Sequence, residues 1–69
     1  MLKLVVLVYW LGMAPVAVSV EASSAEEAYR SVCKMPVAKR SPTAMAIKDE
    51  DGGVPRDTRY SVCWTAPTP

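Results

Sequence analysis

A chain of 69 residues holds one domain at most, and at this size folding buries only about 60% of the unfolded surface, so the stability margin is thin. Hydrophobic residues make up 51% of the chain, enough for a small core and too many for pervasive disorder. The formal net charge of +1 lacks the Lys and Arg excess of a nucleic-acid footprint, and the absence of histidine removes the commonest general base and the commonest metal ligand. With no phenylalanine either, the aromatic side chains are Tyr9, Trp10, Tyr29, Tyr60 and Trp64.

The first element is an uncharged run, Leu4 to Val20, LVVLVYWLGMAPVAVSV. All the acids and every base but Lys3 lie after it. Met1-Leu2-Lys3 ahead of it, with Ala17-Val18-Ser19 or Val20-Glu21-Ala22 at its end, fits a cleaved secretory signal. As a membrane anchor the run is short, since a helix over it reaches about 26 Å against a hydrocarbon core of about 30 Å. Gly12 and Pro15 also interrupt it. Two strands account for more of its detail. Lys3 to Leu11 is rich in Val, Leu and aromatics, and Leu11-Gly12-Met13-Ala14-Pro15 is turn-like. Val16, Val18, Val20 and Ala22 then alternate with Ala17, Ser19, Glu21 and Ser23, the period of a half-buried strand. A signal peptide has no reason to carry that alternation through Glu21.

Ser24-Ala25-Glu26-Glu27 fits a capping box, and Ser23 with Glu26 fits equally well. Ala25, Ala28, Tyr29 and Val32 follow at helical spacing, bordered by Cys33, and Glu26 and Arg30 form an i,i+4 pair. Pro36 ends the helix near Lys34 or Met35. Val37 to Thr43 reads as a loop and Ala44 to Lys48 as a short strand. Asp49 to Gly53 is an acidic turn that Val54 to Thr58 extends. Arg59 to Thr65 reads as a strand with Tyr60, Val62 and Trp64 on one face and Arg59, Ser61, Cys63 and Thr65 on the other.

The sum is an α+β fold, a small ββαββ domain over residues 1–65, mostly antiparallel sheet packed on one helix at about 24–35, with 66–69 as a tail. The first strand is apolar on both faces, Val5, Leu7 and Tyr9 against Leu4, Val6, Val8 and Trp10. One helix covers one face, so sheet curvature or a second copy of the chain must cover the other, and a homodimer is expected on that ground.

Chemistry is sparse. A Cys33–Cys63 disulfide would close a loop of about 30 residues. If Tyr60, Val62 and Trp64 face the helix, however, Cys63 points away from Cys33. That leaves Cys33 a small buried hydrophobe and Cys63 a free thiol, with no histidine to activate it. Two cysteines without histidine fall short of a zinc set. Asp49, Glu50 and Asp51 are consecutive rather than alternate, against the calcium-loop pattern. No phosphate loop, nucleophile elbow or nucleotide fingerprint occurs, so no catalytic residue, metal or cofactor is expected, and the chain is read as a non-enzyme.

Val16 to Lys34, VAVSVEASSAEEAYRSVCK, resembles a strand-to-helix unit common in small α+β proteins. The element order and length resemble very small phage-encoded proteins, including some anti-CRISPR proteins of ββαββ layout. The resemblance implies a compact, non-catalytic protein that acts by occupying a partner's surface, and it carries over no functional residues. The first expectation is a cytoplasmic, phage-encoded protein that binds and inhibits a host protein complex, its partner meeting exposed side chains such as Arg30, Lys34, Lys39, Arg40, Arg56 and Arg59, with an exposed aromatic as anchor. Nucleic acid is not an expected partner. Two alternatives stay open: an exported or membrane-tethered protein with the Cys33–Cys63 bridge, and a minor phage virion component.

Overall fold

The computed structural model describes residues 1–49 and 53–63. Strands β1 (Leu2–Tyr9) and β2 (Val16–Ala22) precede helix α1 (Ala25–Cys33), and strands β3 (Ala44–Asp49) and β4 (Arg56–Tyr60) follow it. They form one antiparallel sheet in the order β2-β1-β3-β4. The fold is therefore the expected ββαββ domain. The uncharged run is its hairpin, with Gly12 at φ 75° in the turn, a left-handed backbone that suits a residue without Cβ. β1 lies inside the sheet, paired with β2 on one edge and β3 on the other. β2 and β3 are each antiparallel to β1 and so parallel to each other, and α1 is the crossover between them.

Residues directly opposite in the ladders share a face. One face carries Leu4, Val6, Val8, Val20, Ala22, Met45 and Ile47, which pack against Ala28, Tyr29 and Val32 of α1. The helix begins at Ser24, whose hydroxyl oxygen accepts from the Glu27 backbone N–H at 3.2 Å. The Glu27 carboxylate reaches back to Ser23, taking its N–H at 3.3 Å and its hydroxyl as well. This variant of the capping box resolves the one-residue ambiguity in favour of Ser24. Lys34 is the C-cap. Pro36–Ala38 then forms a short 3-10 turn within the expected loop.

The last strand departs from expectation in place and in facing. It runs from Arg56 to Tyr60 rather than from Arg59 to Thr65. Its register shifts between Met45 and Ile47, so that Asp57 and Thr58 together oppose Ala46. Asp57 sits at φ 55° in this bulge. Past the bulge, Arg59 lies opposite Met45 on the helix side, and Tyr60 lies opposite Ala44 on the other face. The expected inward row of Tyr60, Val62 and Trp64 is thereby overturned at Tyr60; Trp64 and the tail lie outside the described residues, as does the acidic turn at Glu50 to Gly52.

The free-thiol expectation falls with that row. Ser61 takes a left-handed backbone, φ 54°, which ends the strand and brings the following residues toward the helix. Cys63 forms a disulfide with Cys33, with Cα atoms 5.4 Å apart and 30 residues of separation. Apolarity suggested the wrong face because Arg59, the polar choice, finds partners under it: Glu26 and Asp57.

Candidate functional site

The sheet face opposite α1 has no element packed on it among the described residues. Val5 and Leu7 lie along its centre half-buried, and Tyr9 continues the row toward the β1–β2 turn. Ala46 stands opposite Leu7 and Ala44 opposite Tyr9. Both alanines are buried without belonging to the helix-side core. Ala44 borders the groove at the aromatic end, whereas Ala46 is covered by its neighbours. Tyr60 rises at the end of this face with 74% of its surface exposed. Lys3 opposite Glu21 and Lys48 beside Val5 give the other end a polar border.

At the aromatic end, Tyr9, Trp10, Thr43, Ala44, Thr58 and Tyr60 line most of a groove of about 410 Å³. The backbone there is held by Thr43 N–H donating to the Tyr9 carbonyl at 2.8 Å and Ser61 N–H donating to the Thr43 carbonyl at 3.0 Å. The Trp10 indole N–H donates to the Arg40 carbonyl at 2.8 Å. The ring also packs against the helix-side core, so Trp10 borders both that core and the groove. Such a groove offers apolar contact, ring stacking and the Tyr60 hydroxyl. The described residues that line it include the Thr43, Thr58 and Tyr60 hydroxyls and no carboxylate, thiol or amine side chain.

The helix–β4 junction is built differently. The Tyr29 ring is buried, and its hydroxyl donates to the Asp57 carbonyl. Burial first, and then the Asp57 carboxylate, push the Tyr29 pKa up to about 12. The Arg59 guanidinium lies over the Tyr29 ring, 5.2 Å from its centroid, and pairs with Glu26 and, at 3.4 Å, with Asp57. The hydrogen bond to Glu26 is the main cause holding the Arg59 pKa above its ordinary value. The Glu27 carboxyl is held below the usual range, chiefly by the Ser23 hydroxyl.

The six bases expected to meet a partner are distributed over these regions. Arg30 is exposed on α1, beside a groove of about 260 Å³ that the disulfide also lines. Lys34 is exposed at the C-cap, and Lys39 is exposed just past the 3-10 turn. Arg40 is exposed against the hairpin turn, its Nη1 3.6 Å from the Met13 Sδ. Arg56 opens β4, exposed. Arg59 is committed to Glu26, Asp57 and Tyr29, which gives it a part in holding α1 to β4. Arg40 is tied to the β1–β2 turn and Arg59 to α1, so these two serve different parts of the fold. Sequence reasoning identified the Val5-Leu7-Tyr9 row but missed Tyr60 as its companion; the signal lay in a bulge that residue types alone do not mark.

Among the described residues there is no group of three or more Cys, Asp or Glu side chains placed to hold a metal ion. No helix among them is long and apolar enough to cross a membrane. Comparison of the chain with protein-family models, with curated proteins and with solved structures finds no match.

Proposed function

We propose that this protein is a small non-catalytic interaction module that acts by occupying the surface of a protein partner. The observation that carries this is the sheet face opposite the helix, with Val5, Leu7 and Tyr9 half-buried along it, the groove lined by Tyr9 and Ala44 beside them, and Tyr60 exposed at its end. A half-exposed apolar centre with aromatic side chains and a charged border is the usual anatomy of a binding patch. Tyrosine is enriched among the anchors that dominate such interfaces. A rigid small domain suits an inhibitor that masks a surface, the role suggested by small phage-encoded proteins.

A second reading concerns where the protein works. The Cys33–Cys63 bridge favours an oxidising compartment, because cytosolic thiols are kept reduced. It supports the exported form of the module over the cytoplasmic one. The two forms share the same binding face.

Site-specific photocrosslinking in the native host tests the first reading. A photoreactive residue at Leu7 or Tyr60 should yield one discrete adduct, and a Leu7→Asp change should abolish capture from Tyr60. The same residue placed at Glu26 on the helix should give none. Adducts from the helix and not from the sheet would overturn the assignment.

A further inference from the structure

The two edges of the sheet are built unlike each other. β4 is short, bulged at Asp57 and Thr58 opposite Ala46 of β3, and carries Arg56, Asp57 and Arg59. Bulges and charges of this kind blunt an edge against further pairing. β2 has none of these devices. It is 7 residues long, and its register with β1 is unbroken from Leu2↔Ala22 to Val8↔Val16. It contains neither proline nor lysine, and Glu21, its one charge, stands opposite Lys3. β2 ends the sheet, so every second residue of it turns its N–H and C=O away from β1, and no strand pairs with that edge among the described residues.

We infer that β2 pairs with β2 of a second copy of this chain, antiparallel and about a two-fold axis through Ser19, to make one continuous eight-stranded sheet. The register that pairs the whole strand is self-complementary. Val18 falls opposite Val20 of the partner subunit on the helix side, and Val16 opposite Ala22 of the partner subunit. On the open side Ala17 meets Glu21 of the partner subunit, and the two Ser19 side chains meet at the axis, so no like charges oppose. A slip that centres the pair on Glu21 would set carboxylate against carboxylate, which disfavours it. The isologous geometry closes after two chains. Both helices then lie on one side of the sheet, and the two apolar rows lie together on the other. This inference is independent of the binding-face reading, since a monomer that still crosslinks through Leu7 would overturn the dimer alone.

Sedimentation of the full oxidised chain across the micromolar range tests it. The wild type should dimerise. Ser19→Lys and Ser19→Glu should each weaken the dimer by about tenfold or more, a like-charge effect at the axis. Ser19 is exposed, so both variants should keep the wild-type circular dichroism. An equimolar mixture of the two should recover association. A monomer throughout, a dimer indifferent to both charges, or a mixture that fails to recover would overturn it.

Discussion

Replacing the bridge by Cys33→Ala with Cys63→Ser isolates the strongest single constraint on this small domain. The bridge spans 30 residues, and the chain-entropy relation for a loop of that length gives about 3.6 kcal/mol at 25 °C. A 69-residue chain is expected to have a total stability of roughly 3.5–10 kcal/mol. Loss of the bridge therefore removes between about a third and all of it. The remaining links between α1 and β4 are the Tyr29 hydrogen bond to Asp57 and the Arg59 pairs. Exposed ion pairs contribute at most about 1 kcal/mol, so they cannot replace the bridge. Urea unfolding followed by tryptophan fluorescence and circular dichroism reads the effect. At a slope of about 1 kcal/mol/M the midpoint should fall by about 3 M or more, or the variant should be unfolded without denaturant. The wild type under strong reductant should follow the variant. A midpoint within about 0.5 M of the oxidised wild type would refute the reasoning, because loop closure would then not be what secures β4.

Alkaline pH should unfold the protein through Tyr29. Its folded pKa, about 12, lies above the unfolded value near 10, so its contribution is complete below pH ~10 and is lost as pH rises toward 12, by roughly 2–3 kcal/mol. Tyr29→Phe should flatten that part of a pH-stability curve measured by urea midpoints. Ser24→Ala removes the oxygen that accepts the Glu27 N–H and should cost about 1 kcal/mol in the same assay. Met45→Ala empties a fully buried position and should cost about 2–5 kcal/mol, whereas Tyr60→Ala, at an exposed position, should stay within about 0.5 kcal/mol.

The hairpin and the helix were legible because their signals are local. The alternation of Val16, Val18, Val20 and Ala22, the turn at Gly12, and Ser24 ahead of Ala25, Ala28, Tyr29 and Val32 each state an element within a few residues. Strand β4 was not legible in that way. Its facing depends on one bulge at Asp57 and on Arg59 reaching Glu26, 33 residues earlier. Hydrophobicity favoured Tyr60 as the inward residue, and the ion pairs and ring contact of Arg59 reversed it. The cysteine pairing inherited that error, since a strand read with its faces exchanged carries Cys63 away from the helix. For the binding face, the doubly apolar β1 exposed the need for a cover. The position of Tyr60 across from Ala44 required the register.

The claim that one apolar sheet face is open is tested most directly by paramagnetic broadening of methyl and ring resonances with a soluble gadolinium chelate. On this account the Val5 and Leu7 methyls and the Tyr9 and Tyr60 rings broaden strongly, while Val6, Val8, Val20, Val32 and Met45 stay sharp. Equal protection of Val5 and Leu7 with the helix-side valines would contradict it, because both faces of β1 would then already be covered.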